Sequence, residues 1–298
     1  MMKNTMKALT LTALSLWATT ALADEEVERT LAAAADGQVS VSNTAGMIDI
    51  RGWSRDEVHV LGDLGSGVEE LVFKRDGDEI TINVKVPRNH HHRSISTDLE
   101  IRVPENSMIK VSAVSADIEV RDLLGAQRLS SVSGDIESEA AASDVEIETV
   151  SGDVELQGDD KEMVSELNSV SGDVDAQNLA GEITANSVSG DLTLVDSQFD
   201  RASLQTISGD IVFHAELRDS GRLNIETING DLEVDFEGSI SARFDIESFN
   251  GVIDNCFGPE AVKTSRYTPG TELNFTEGDG SGRVYIKTLN GDLRMCKE

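Results

Sequence analysis

Positive charge is scarce in this chain. Lys and Arg number 25 against 55 Asp and Glu, for a formal net charge of −30. Nucleic acid and anionic lipid both require a positive field, so neither is an expected partner. Aromatic residues are also few, at 4% of 298 residues, which suits a narrow interior better than a broad one. Only 4 prolines and 2 cysteines occur, so neither a proline-rich linker nor a disulfide-dense scaffold is in view. Long apolar runs are absent after the N-terminus, and no later segment reaches the ~18 uncharged residues that a spanning helix needs.

The N-terminus reads as an export leader. Lys3 and Lys7 precede an apolar run from Ala8 to about Thr20, and Ala21-Leu22-Ala23 forms a small-x-small cleavage site before Asp24-Glu25-Glu26. The run is short for a membrane span, and no Cys follows the cut to carry a lipid. Residues 1–23 are therefore expected to be removed, leaving a protein of the periplasm, cell surface or medium with no membrane attachment.

One phrase recurs through most of the remainder. Ser131-Val132-Ser133-Gly134-Asp135-Ile136 returns around Gly152, Gly172, Gly190, Gly209, Gly230, Gly251 and Gly291, with a degenerate copy at Ala113-Val114-Ser115-Ala116-Asp117-Ile118. Asn replaces the middle Ser from Asn229 onward, and Val252 stands where the Asp should be. Successive glycines from Gly134 to Gly251 are 18, 20, 18, 19, 21 and 21 residues apart, and the last step, to Gly291, is 40. This period is too short for helix-pair repeats or propeller blades and fits one coil of a β-solenoid. A single coil cannot bury its apolar side chains. Stacking coils about 4.8 Å apart pairs each strand with the next and makes the core continuous. Leu223, Ile225 and Thr227 alternate with polar residues, as a half-buried strand does. The alternation changes phase near Ile228, which suggests a corner. It predicts that Ile228, Gly230, Leu232 and Val234 point inward together, as do Phe249 and Leu289 in their coils. Each coil then has two short strands and a variable third side.

Residues 24–36 read as a flexible or short helical lead-in. Residues 37–112 read as irregular β-structure that caps or begins the solenoid. A small separate domain is the alternative there; one continuous domain is simpler, since no linker intervenes. The repeats occupy 113–298. Cys256 and Cys296 each follow their glycine by five residues and share one repeat phase. If their coils are adjacent, a disulfide is within reach; if a degenerate coil intervenes, it is not. Adjacency is favoured, with residues 257–281 as an insertion.

These motifs carry a resemblance. The opening Gly37-Gln38-Val39-Ser40-Val41-Ser42-Asn43 to Gly46-Met47-Ile48-Asp49-Ile50-Arg51-Gly52-Trp53, the Ile101-Arg102-Val103-Pro104 step and the Ser-Val-Ser-Gly-Asp series resemble the bacterial "putative adhesin" family. The resemblance covers about residues 37–295. It implies an all-β fold, a single-stranded right-handed parallel β-helix with about 18–21 residues per coil. It also implies a cell-envelope setting, in some members linked to envelope-stress signalling. It supplies no catalytic residues.

Candidate sites are few. Asp135, Asp153, Asp173, Asp191, Asp210 and Asp231 should form a ladder. Hydrogen bonding in a Gly-Asp turn is its expected role. Ca²⁺ is the lesser candidate, because one Asp per coil lacks the roughly six to eight clustered oxygens of a strong site. The inward Ser/Thr row has no His base nearby for nucleophilic chemistry. His90-His91-His92 reads as a solvated loop with at most casual metal affinity. Lys and Arg are scattered, which argues against an enzyme acting on acidic polysaccharide. No enzyme activity and no cofactor are expected. The expected role is an exported scaffold or adhesin, monomeric, presenting an acidic face to an envelope protein or a neutral glycan. The alternatives are an accessory or sensor protein in envelope stress and a carbohydrate-active β-helix enzyme. Intact mass of the exported protein should match a chain that starts at Asp24; a mass retaining residues 1–23 contradicts the leader.

Overall fold

The computed structural model describes residues 25–87, 94–265 and 269–297. The leader and the His90–His92 run lie outside the described residues. Every regular element among the described residues is a strand. No helix there is long and apolar enough to cross a membrane.

Each coil runs along one face, turns a corner at the repeated phrase, and continues as a second strand on another face. On the first face Gln127–Ser131, Val145–Thr149, Glu162–Asn168 and Ala180–Asn186 stack in parallel. On the second face Ile136–Glu139, Val154–Gln157 and Val174–Gln177 do the same. In the earlier coils the expected third side is reduced to a return turn, whereas Leu192–Ser208 and Ile211–Asn229 keep pairing through it. That turn often uses a left-handed residue: Asp122, Asp160, Asn178 and Asp196 have φ between 50° and 59°. Asp and Asn tolerate this region better than most residues.

Both faces point alternate residues into one apolar core. Its clearest ladder is Ile118, Ile136, Val154, Val174, Leu192, Ile211, Leu232, Leu293 and Ile253, each in register with the next. Burying each such side chain stabilises the fold by roughly 1.5–3 kcal/mol.

The N-terminal region belongs to the same stack. Gln38–Trp53 pairs in parallel with Met108–Arg121 along nearly its whole length. On its other side lie Glu79–Lys85 and Thr97–Pro104, also parallel. Glu70–Asp76 then closes one face, and Glu57–Leu64 with Glu25–Ala32 the other, all antiparallel. The lead-in is thus partly a strand, not a helix. Val27 and Leu31 share a face at either period, and pairing with Glu57–Leu64 decides between them. The charged edge strand Glu25–Ala32 also discourages further pairing.

At the other end the chain doubles back. Ala242–Asn250 does not follow Ile211–Asn229 in the stack, because Gly282–Asn290 lies between them and pairs with both. The coil written last is therefore the penultimate one in space, and the Gly251 coil is outermost. Thr271–Glu277 runs antiparallel along the outer edge of Ala242–Asn250, and Val262–Lys263 pairs with it in turn. Residues 257–281 hold this antiparallel return and no further coil. The coils of Cys256 and Cys296 are neighbours, their Cα atoms lie 4.8 Å apart, and the two residues form a disulfide. Phe199, Phe213, Phe236, Phe244, Phe257 and Phe275 make a chain of ring contacts that fills this end, with Phe244 and Phe275 stacked at 4.4 Å.

Stacking at the corner requires glycine. A Cβ on Gly172 would sit 1.9 Å from the Gly152 carbonyl oxygen, and Gly134, Gly152, Gly190, Gly209, Gly230, Gly251 and Gly291 face the coil before or beside them in the same way. At Ala116 the chain runs straight through as Met108–Arg121, and that position accepts a Cβ. Gly172→Ala should therefore destabilise by about 3 kcal/mol in urea melts, whereas Ala116→Gly should cost less than ~1 kcal/mol. Equal costs at the two positions would contradict the steric account.

Candidate functional site

The corner is where the repeat concentrates its polar groups. Its Ser or Thr points inward: Ser131, Thr149, Ser169, Ser187, Thr206, Thr227, Ser248 and Thr288 are all at most 6% exposed. In the earlier coils the hydroxyl accepts the glycine N–H, as at Gly134 to Ser131 Oγ (2.9 Å) and Gly172 to Ser169 Oγ (2.9 Å). In the later coils the glycine N–H of Gly209, Gly230 and Gly291 goes instead to the carbonyl of an Asn in the next coil. There the Asn side chains also link coils, Asn250 Nδ2 to Asn290 Oδ1 (2.9 Å) and Asn290 Nδ2 to Asn229 Oδ1 (2.8 Å).

The Asp residues form the expected ladder, but their bonds run between coils and not within a turn. Oδ1 of Asp117, Asp135, Asp153, Asp173, Asp191, Asp210 and Asp231 each accepts the backbone N–H of the next Asp in the stack, at 2.7–3.1 Å. Asp292 accepts from Val252 at 2.8 Å. Repulsion between carboxylates one strand apart is about 0.9 kcal/mol in water. A hydrogen bond to a charged group gains about 1.5–3 kcal/mol, so the bond wins. Val252 ends the ladder and has no coil beyond it to receive, which explains its missing Asp. The ladder gathers no three carboxylates at a point.

The apolar residue of the phrase points outward, contrary to the parity expected from the sequence. Val114, Val132, Val150, Val170, Val188, Ile207, Ile228, Phe249 and Leu289 are 42–49% exposed. The phase slip comes one residue later than expected: the strand alternation that buries the Ser or Thr carries on through the apolar residue and turns it out. The result is a ridge of nine apolar side chains beside the Asp row.

Outer faces hold further clusters. His214 Nε2 lies 3.4 Å from Asp235 Oδ2 and 3.9 Å from Glu233 Oε1. Among the described residues these three alone bring potential ligand atoms within 4.8 Å of one another. Arg294 Nη1 already contacts Glu233 at 2.6 Å and Asp235 at 3.2 Å, so their charge is met by a fixed cation. Arg218 bridges Glu162 and Asp200, and its hydrogen bond to Glu162 holds the guanidinium above its ordinary range. The cations are not all scattered: Arg201, Arg222, Arg283 and Arg243 fall in one register row. Each stands eight residues before its repeat glycine, a signal present in the sequence that only a repeat-phased alignment of charges reveals.

Helix-free stacking with repeated strand pairings defines an all-β protein of solenoid or toastrack type. The chain belongs to the family described as Toastrack DUF4097, whose model matches residues 38–245. Among curated proteins nothing matches it. A "Putative lipid binding protein" from Parabacteroides distasonis is similar in structure, with 12% identity, 92% of this chain and 96% of that chain covered, and a TM-score of 0.50. A "putative adhesin" from Parabacteroides merdae has 10% identity, 91% and 96% coverage and a TM-score of 0.48. At such identity the likeness concerns the fold alone.

Asp173→Ala removes the acceptor for the Asp191 N–H and should cost about 1–2 kcal/mol. Asp173→Asn keeps an acceptor and should stay within about 0.5 kcal/mol of the parent. Melting both with and without Ca²⁺ separates the roles: a Ca²⁺-dependent rise in Tm that both variants lose assigns the ladder to a cation.

Proposed function

We propose that this protein is a non-enzymatic, exported interaction scaffold of the cell envelope that docks an envelope protein along its corner ridge. The observation that carries this reading is the row of nine half-exposed apolar side chains at one strand spacing. Contiguous apolar surface of this kind is uncommon on a monomer and favours a partner. The parallel Asp row adds electrostatic selectivity: a partner with an apolar stripe flanked by Lys or Arg is complementary to it. The scaffold is rigid, because coils are tied together at the corner by both backbone and carboxylate bonds. In this reading the coils wind right-handed, as parallel crossovers generally do, and the working unit is one chain.

Several features favour binding over catalysis. The corner hydroxyls face inward, and the carboxylates beside them hold backbone N–H groups. His59 and His214, the histidines among the described residues, sit elsewhere on the sheets. Membership of a toastrack family is consistent with a surface-interacting role, and the leader with an extracytoplasmic one.

Pull-down from envelope extract, with and without Ca²⁺, tests the reading when the wild type is compared with a Val150→Ser, Val170→Ser, Val188→Ser variant of unchanged Tm. The wild type should recover a reproducible protein that the variant loses. Identical recovery by both, or release by a neutral oligosaccharide alone, overturns the protein-docking assignment.

A further inference from the structure

Away from the corner, the first face carries a row of four arginines. Arg201 pairs in register with Arg222, Arg222 with Arg283, and Arg283 with Arg243. All four are exposed. With strands about 4.8 Å apart, the row spans roughly 14 Å. It has four members because the last coil in sequence is inserted beside the Gly230 coil and places Arg283 between Arg222 and Arg243. Without that insertion, Arg222 and Arg283 would not be neighbours.

Like charges directly opposite one another on a sheet are destabilising. Elsewhere on the outer faces several cations meet a carboxylate on the neighbouring strand, as in Lys85–Glu70, Arg128–Glu146 and Arg294–Glu233, and where Arg51 stands opposite Arg121 both are ion-paired, Arg51 to Asp49 and Arg121 to Glu119 and Glu137. The row is different. Arg201 reaches Glu182 at 2.9 Å, at one end. Among the described residues no ion pair or hydrogen bond engages the guanidinium groups of Arg222, Arg283 or Arg243. The row lines a groove of about 650 Å³ in which Asp245 is the lone carboxylate. In a chain of net charge −30, unpaired cations in one row are a local reversal of sign.

A second row runs alongside. Ser203, Asn224, Tyr285 and Asp245 are register partners two residues further along each strand than the arginines, on the same outer face. A ligand on this face meets guanidinium groups on one side and a hydroxyl, an amide, an aromatic ring and a carboxylate on the other. We infer that the groove binds a short, linear oligosaccharide bearing carboxylates, a uronic-acid oligomer. Its carboxylates would lie along the arginines, where planar guanidinium favours bidentate contact. Its hydroxyls would meet Ser203, Asn224 and Asp245, and the apolar face of a sugar would lie on Tyr285. Ala202 and Leu223, the aliphatic side chains at the groove, are buried, so no exposed aliphatic side chain there receives an acyl chain. Its strand edges are already paired, so an extended acidic peptide has no backbone to join. The acidic remainder of the protein confines the ligand to the row's own length. This site lies on another face from the corner ridge and stands without the protein-docking reading.

Titration calorimetry of the mature chain with a short oligogalacturonate tests the inference. Binding should be present at low salt, weaken at higher salt, and be absent for the methyl-esterified oligomer. Arg222→Gln with Arg283→Gln should weaken it by at least about tenfold. Arg128→Gln, on the same face but paired with Glu146, should leave it unchanged. All variants are exposed and should keep the parent's Tm; Arg201→Gln with Arg243→Gln supplies a second pair. No binding by the wild type, equal binding by the variants, or equal binding of the esterified oligomer overturns the site. Binding to phosphatidylglycerol vesicles in place of the uronate does so too and points to lipid.

Discussion

The close approach of one coil to the next at the corner governs this structure. Each glycine lies against the carbonyl of its neighbour with no room for a Cβ. That approach brings the following Asp within reach of the next backbone N–H, and it sets the register of both faces. Ladders of Ile, Val and Leu then fall into line behind it. The core needs little shape specificity of its own, since each inward residue meets its own kind one strand away.

The same register gives the exterior its order. A solenoid copies each outward position along its length, so a preference repeated in the sequence becomes a stripe. The apolar ridge, the Asp row, the Asn pairs and the arginine row all arise this way. Stripes of one sign carry a repulsive cost. In the Asp row, backbone bonds offset it. In the arginine row nothing in the described chain does so beyond Glu182 and Asp245, and that difference separates a structural stripe from a candidate binding strip.

The end of the stack shows why coil order differs from chain order. A solenoid end exposes an apolar core and an unpaired edge. Here the chain forms the outermost coil first, covers its edge with Thr271–Glu277, and then returns to insert Gly282–Asn290 beneath it. Ring contacts of Phe244, Phe257 and Phe275 and the Cys256–Cys296 disulfide hold that arrangement. Val252 and the 40-residue step, which look like decay of the repeat, are consequences of this path.

The amino-acid sequence by itself determined the all-β architecture, the period and corner glycines, and the shared phase of the two cysteines. Those depend on local pattern and on repetition, and both are linear properties. Tertiary structure alone decided that Glu25–Ala32 is a strand, since its apolar spacing suits either period until a partner edge is present. It alone turned Val150 and Ile228 outward, because the strand alternation continues one residue past the buried Thr149 and Thr227 before the chain bends. It also placed the last coil inside the preceding one, and so joined Arg222 to Arg283: adjacency in the stack is a matter of which edge the returning strand can pair with, and distance along the chain carries no record of it.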